Sequence, residues 1–366
     1  MKKIIIIQHE PLTYNIEKKY CLTDLLSAGF YLEYWDISQL LYPGIKAVDG
    51  IDFLYLKKIN TFEDFVTEFN KISNDSVIVP EFFMNSKTKK LWKLLCSSGL
   101  PLIKIERYAN SNIKKSILQK IVSNFTPKRI IYCLKKICFN ISLKIDGING
   151  YNYLLTSGNK TKCDQEINHP DYDEYLIKKN DAPFLSYKYI CFIDTGFGIH
   201  PDQKYYMENF SEDNELWQKK LSIFFDKVEE KFGIPVVIAV HPKIEYSENA
   251  FGGRKKIKYQ TLNLVLNSEF VLQDISNSLS YSVIADKKIG IIVTNEMWKY
   301  YKYYLSQLTK KLNIPLFSID KDSAENFLPQ KIPYNSRLDY MNDFLCTKNT
   351  KDKLTSDLLI DFFNRI

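Results

Sequence analysis

Gly233-Ile-Pro-Val-Val-Ile-Ala-Val-His241-Pro242-Lys243 is the stretch whose reading decides the fold. A run of β-branched residues ends on a histidine, a proline and a lysine. That is the pattern of a strand buried on both faces that opens into a loop at its carboxyl end. Further on, Leu272-Gln-Asp-Ile-Ser276-Asn277-Ser278-Leu279-Ser280 closes a second apolar strand on small polar residues suited to a helix start. Two strand ends of this kind facing one cleft are expected to cradle a phosphate, because ligands of open parallel sheets bind beyond the carboxyl ends of the strands.

Working outward, 366 residues exceed what one core serves, so two domains are expected. A hydrophobic fraction of 45% with 25% charged residues is that of a soluble globular chain, and no segment approaches the ~20 apolar residues of a membrane span. Ile4–Ile7 is too short for a signal-peptide core, Gln8-His9-Glu10 breaks it and no small-residue cleavage site follows. It reads as a first buried strand, and the expected location is cytoplasmic. The seven cysteines contain no C-x-x-C pair, which predicts reduced thiols rather than a disulfide framework or zinc site. The net charge of +7 is modest and spread along the chain, without a nucleic-acid-binding signature, so nucleic acid is a weak inference and an acidic substrate or an anionic membrane surface fits equally well.

Strand and helix alternate from the start. Strands are predicted at residues 3–8, 31–36, 52–56, 76–80 and 100–105, with helices over 20–28, 61–72 (Thr61 as N-cap) and 87–97. This is the pattern of a Rossmann-like domain, taken as residues 1–150. Its end, from Asn112 to Ile145, is helical, with Ile130, Leu134, Ile137 and Ile141 on one stripe among Lys128, Arg129, Lys135, Lys136 and Lys144. The stripe reads as the packing face of a helix whose lysines face water. The same basic helix could also rest on anionic lipid, with Lys128, Arg129, Lys135 and Lys136 as the contact. Residues 151–185 show little periodicity and are expected to join the domains. A second alternating unit, 186–335, opens on the strand Tyr187–Asp194. It continues with a helix from Glu212 to Phe232 whose inner face holds Leu216, Trp217, Leu221, Phe224, Phe225 and Val228. Residues 336–366 are expected to be a closing helical segment. Two Rossmann-like halves with parallel sheets facing a cleft make GT-B the expected fold.

Residues just beyond strand ends carry the chemistry. His241 can donate to a phosphoryl oxygen as it departs, and Lys243 adds positive charge there. Ser276, Asn277 and Ser278 suit a helix start that favours phosphate. In Asp194-Thr-Gly196-Phe-Gly198-Ile-His200, the glycines would let backbone amides approach a ligand, with His200 near the cleft. The full G-x-G-x-x-G fingerprint is absent, which argues against a dinucleotide-dependent oxidoreductase. A general base should come from the first half. Glu81, after Val-Ile-Val-Pro80, and Asp49, in a loop, are the leading candidates, with His9 and Glu10 as others. Asp171-Tyr-Asp173 is superficially similar to a D-x-D metal motif but follows no apolar strand, and it reads as a loop. Four histidines with none paired at ligand spacing predict no transition-metal site, and no resident cofactor is expected.

His241-Pro242 after an apolar strand, followed by Ser276-Asn277-Ser278 at the next strand-to-helix junction, resembles the His-Pro and Ser-Ser/Thr motifs of bacterial GT-B sialyltransferases. The resemblance covers roughly a third of the chain. It implies a metal-independent transferase that moves an acidic sugar, a sialic-acid-like nonulosonate or Kdo, from a CMP-activated donor. The acceptor would be a glycan or glycolipid of bacterial capsule, O-antigen or lipooligosaccharide assembly. His241, Ser276 and Ser278 would then bind the donor phosphate. The family's acidic motif, two acids before a glycine, is not intact, since Asp49-Gly50 and Asp146-Gly147 each keep one acid. The serine region also looks like that of CDP-glycerol transferases of teichoic-acid type. The remaining alternatives are an epimerase of the same fold, acting without an acceptor, and a non-catalytic scaffold.

Overall fold

The computed structural model describes residues 2–44, 50–107, 127–200 and 213–366, the stretch 127–133 by its backbone alone. Asp49 and the side chains of Lys128, Arg129 and Ile130 therefore lie outside the described residues. The chain divides into two compact units. One holds the residues up to Pro170 with Lys353–Ile366, and the other Asp171–Asp352.

In the first unit, β1 (Lys3–Gln8), β2 (Tyr31–Asp36), β3 (Leu56–Lys58) and β4 (Ser76–Glu81) form a parallel sheet in the order β3-β2-β1-β4. A parallel bridge between Ile78 and Leu102 leads on to β5 (Ile103–Glu106), β6 (Tyr153–Ser157) and β7 (Gln165–Ile167), which pair in that order. The Ile4–Ile7 run is continuous because both faces of β1 are covered. Ile4 and Ile6 pack with Phe30 and, from the chain's far end, Leu359 and Phe363, while Ile5 and Ile7 pack with Phe65 and Trp92. Thr61 caps the Phe62–Phe69 helix in a reciprocal capping box with Asp64, as its position predicts.

The second unit has β8 (Ile190–Ile193), β9 (Val236–Ala239), β10 (Lys256–Ile257), β11 (Val271–Gln273), β12 (Lys288–Val293) and β13 (Leu316–Ser318), parallel in the order β10-β9-β8-β11-β12-β13. A short β14 (Gln330–Lys331) joins β12 antiparallel. The helix Asn214–Phe232 is capped by the Asp213 carboxylate and closed by Gly233 in the left-handed region. Trp217, Leu221, Phe224, Phe225 and Val228 are buried beneath it as expected, but Leu216 is exposed, because at 100° per residue it lies about 80° outside the arc of the other five.

Four features differ from the sequence reading. The strand expected at 52–56 begins only at Leu56. Phe53 instead stacks on Tyr55 with ring centroids 5.0 Å apart, and the intervening Leu54 is exposed. Residues 151–185 are not a featureless connection but contain β6, β7 and the helix Pro170–Lys178. These strands are so short that Leu155 and Ile167 are their fully buried apolar anchors, too few to produce a period. The segment 336–366 is two helices, Tyr334–Phe344 packed in the second unit and Thr355–Arg365 in the first. Finally, the apolar stripe of the Pro127–Ile145 helix does not pack into the core; Leu134, Ile137 and Ile141 are exposed.

Candidate functional site

The strand order of the second unit reverses at β8, with β9 and β10 on one side and β11 to β13 on the other. The crevice of such a sheet opens beyond the carboxyl ends of the strands flanking that reversal. The residues found there are Asp194-Thr195-Gly196 after β8, His241-Pro242-Lys243 after β9, and Asp274-Ile275-Ser276 after β11.

Asp194 organises the first two loops. Its Oδ1 accepts from the Gly196 amide at 2.8 Å and the Tyr246 hydroxyl at 3.1 Å, and its Oδ2 accepts from the His241 amide at 3.2 Å. Asp274, on the neighbouring strand, accepts the Thr195 hydroxyl at 2.8 Å. Burial holds the Asp194 carboxyl up at about 6 against the donors around it, and burial holds Asp274 up at about 7, the nearby Asp194 charge adding to the effect.

His241 is half-buried, and its ring is fixed from behind: the Lys243 backbone amide donates to Nδ1 at 3.2 Å. An Nδ1 that accepts carries no proton, so in the neutral ring Nε2 is the protonated, donating nitrogen. That atom lies 3.3 Å from Nε2 of His200, the rings meeting edge-on at 75° with centroids 4.4 Å apart. The loops are brought together by a glycine. At Gly196 the backbone has φ +63°, and a Cβ there would lie 2.7 Å from Cγ1 of Ile244, just past the His-Pro turn. The Gly196 amide is spent on Asp194 and its carbonyl on the His200 amide, 2.8 Å away. Gly198, at φ +90°, would set a Cβ 3.2 Å from the Asn214 backbone nitrogen. The two glycines thus let the chain pack closely upon itself at this strand end.

Lys243 is exposed beside His241. Ser276, Asn277 and Ser278 do follow β11, but they form the turn before a short helix, Leu279–Ile284, and do not cap it through a side chain. The Ser276 hydroxyl oxygen accepts from the Ser278 amide at 3.2 Å, Asn277 is exposed and Ser278 half-buried. Ser280 turns inward to Asp171. Asp171 and Asp173 lie in the first turn of the Pro170–Lys178 helix, not in a loop, and Asp171 is committed to Ser280.

The first unit has its own reversal, between β1 and β4, and there the candidates His9, Glu10 and Glu81 lie together. The Glu81 carboxyl sits deep enough that desolvation raises it above the ordinary carboxylate range. The Lys19 and Arg107 charges and the Tyr20 hydroxyl pull the other way. His9 Nδ1 is 2.6 Å from the Glu81 carbonyl oxygen. A carbonyl only accepts, so Nδ1 carries the proton and the neutral ring leaves a basic lone pair on Nε2, 3.8 Å from the Glu10 carboxylate. Phe83 holds the ring, centroid to centroid at 5.5 Å.

Asp194 and Asp274 were not singled out in the sequence as site residues. A polar residue ending an apolar strand is the only signal they leave, and a solvated turn leaves the same one.

No family model matches the chain, and no curated protein matches it. Solved structures do. The wall teichoic acid polymerase TagF is similar with a TM-score of 0.52 at 13% identity, over 100% of this chain and 89% of that one. The glycotransferase of kitacinnamycin is similar with a TM-score of 0.50 at 9% identity, over 100% and 98%. The fold is GT-B. In GT-B terms the two parallel-sheet units are its Rossmann-like halves, and the sites described above occupy the strand-end crevice of each. At such identities the likeness shows the fold alone.

Proposed function

We propose that the chain is a glycosyltransferase that takes a sugar from a nucleotide donor, with the leaving phosphate held in the second unit. The carrying observation is the convergence of His241 and His200, with Nε2 atoms 3.3 Å apart beyond the sheet's reversal point. His241 carries its donor on Nε2, which His200 Nε2 accepts at 3.3 Å and a phosphate oxygen would accept in its place, while Lys243 and Asp194 set the His241 loop from behind. As the bond between the anomeric carbon and the phosphate oxygen breaks, the electron pair goes to that oxygen. Donors pre-aimed at it favour the transition state over the ground state. Lys243 and the turn Ser276–Ser278 supply further positive charge and hydroxyl groups to the same phosphate. No resident cofactor enters the proposal.

The donor proposed is a CMP-activated acidic sugar of the nonulosonate or Kdo type, which rests on the likeness of His241-Pro242 and Ser276-Asn277-Ser278 to the sialyltransferase motifs. The acceptor proposed is a surface glycan or glycolipid, and the proposal includes residence at the inner face of the cytoplasmic membrane. A CDP-glycerol-type polyol-phosphate transferase is the second reading. It would use the same His241 site, and the fold shared with a teichoic acid polymerase makes it the rival to test. Thermal shift with CMP, CDP, UDP and GDP decides between them. Stabilisation by CMP above the others, with CMP-sugar consumed, supports the first reading; preference for CDP, with CDP-glycerol consumed, replaces it by the second. No shift with any nucleotide sinks both.

The base that takes the acceptor's proton is proposed to be His9. Glu81 is engaged by Lys19, Arg107 and Tyr20, while His9 has its Nδ1 proton tied down and its Nε2 lone pair set beside Glu10. His9→Ala is expected to lower kcat by about 10²-fold or more, the usual worth of a positioned base, as read in steady-state kinetics. Near-normal turnover of His9→Ala, with its loss in Glu81→Gln, would return the role to Glu81.

A further inference from the structure

The Pro127–Ile145 helix carries a surface that the site chemistry does not use. Leu134, Ile137, Ile141 and Ile145 are 55%, 55%, 52% and 80% exposed. At 100° per residue these four lie within about 80° of arc, so they form one continuous apolar ridge. The helix is seated by its opposite side. Leu143 packs on the core cluster of Trp92, and the Ser142 hydroxyl accepts from the Lys89 ammonium at 2.9 Å. The stripe that looks from its spacing like a packing face is therefore turned outward, and amphipathicity here serves something outside the unit.

The charge says what. The helix sequence contains Lys128, Arg129, Lys135, Lys136 and Lys144 and no acidic residue. Lys135 and Lys144 are exposed and lie on either side of the ridge, while Lys89 and Lys93 of the neighbouring helix Lys89–Ser97 are ion-paired with Asp146, at 2.5 and 3.0 Å. Lysine stems can lie along apolar surface while their ammonium groups reach outward to anionic headgroups. A second copy of this surface would bring like charges together around the ridge, and a nucleic acid would leave the ridge unburied. We propose that this helix lies in the plane of an anionic lipid bilayer, with Leu134, Ile137, Ile141 and Ile145 inserted among the acyl chains and the lysines on the headgroups. The docking is a property of the first unit alone and is independent of the donor chemistry proposed for the second.

The test is co-sedimentation of the full-length protein, without nucleotide, with vesicles of phosphatidylcholine alone or mixed with phosphatidylglycerol. Binding to the anionic vesicles only, weakening with salt, is the expected result. Ile137→Ser with Ile141→Ser should reduce anionic-vesicle partitioning at least about tenfold while leaving the melting temperature unchanged, since both side chains are exposed. Lys135→Glu with Lys144→Glu should cost about fivefold or more per position. The proposal is overturned by absence of anionic-vesicle binding, by equal binding to neutral vesicles, or by undiminished binding of the serine variant. It is also overturned if the wild type forms a lipid-free dimer that the serine variant loses, which would make the ridge a self-association face. Nucleotide binding measured on the same variants separates this outcome from failure of the transferase reading.

Discussion

His241→Ala is expected to reduce turnover by about 10²- to 10⁴-fold, the range lost when a donor to a departing oxyanion and its proton are removed together. Stability should fall by about 1–2 kcal/mol, the worth of one or two hydrogen bonds, because the half-buried side chain gives up the bond from the Lys243 amide to Nδ1 and the 3.3 Å contact of Nε2 with His200. The pattern to look for in steady-state kinetics is a collapse of kcat with a smaller change in KM, since the proposed contact strengthens as charge develops on the phosphate. His241→Gln separates two contributions. A glutamine amide can donate a hydrogen bond but cannot pass on a proton, so partial recovery over alanine assigns that part of the effect to hydrogen bonding. Turnover of His241→Ala within a few-fold of wild type would remove His241 from the mechanism, and the proposed leaving-group site with it.

The second large effect is expected at a residue that need not touch substrate. Asp194→Ala takes away the acceptor for the Gly196 amide, the His241 amide and the Tyr246 hydroxyl at once. Buried donors left unbonded cost about 1–3 kcal/mol each, so a loss of at least about 3 kcal/mol is expected, read as a lower denaturant midpoint. Asp194→Asn keeps the volume and tests the charge. Burial raises Asp194 to about 6 and Asp274 to about 7, against an ordinary aspartate in the unfolded chain at about 4. Between those values the folded state holds more protons than the unfolded one, so unfolding free energy falls as pH rises. The contribution is fully present below about pH 4, is lost progressively up to about pH 7, and changes no further above that. Asp194→Asn should flatten part of this slope relative to wild type, and it should slacken the His241 turn enough to weaken nucleotide affinity. A variant whose pH–stability curve parallels that of wild type from pH 4 to 7 would show that Asp194 is not held protonated in the fold.

Much of this architecture is legible in the chain because parallel strands buried on both faces have to be apolar throughout. Ile4–Ile7, Val77–Val79 and Val236–Val240 announce themselves, and the residue at which each run ends marks a strand end. His241 and His9 are visible for that reason. The strands β6 and β7 are not, since three to five residues with one buried apolar anchor each leave no period. The pairing of His200 with His241 is equally hidden. It depends on β8 and β9 being neighbours and on Gly196 letting one loop lie against Ile244. Spacing along the chain contains neither fact.

The Pro127–Ile145 helix marks the same limit from the other side. Its spacing of apolar residues establishes that one face avoids water, but not whether that face meets a core or points away from one. Sequence by itself thus determined two alternating α/β halves, the strand ends and the types of side chain placed on them, because each follows from local periodicity and chain breaks. Tertiary structure alone decided which strand ends became neighbours, which carboxylates were buried deeply enough to be raised above the ordinary aspartate range, and which apolar face was left uncovered. Those outcomes are set by packing between segments distant in the chain, where burial and desolvation, rather than residue type, control the chemistry.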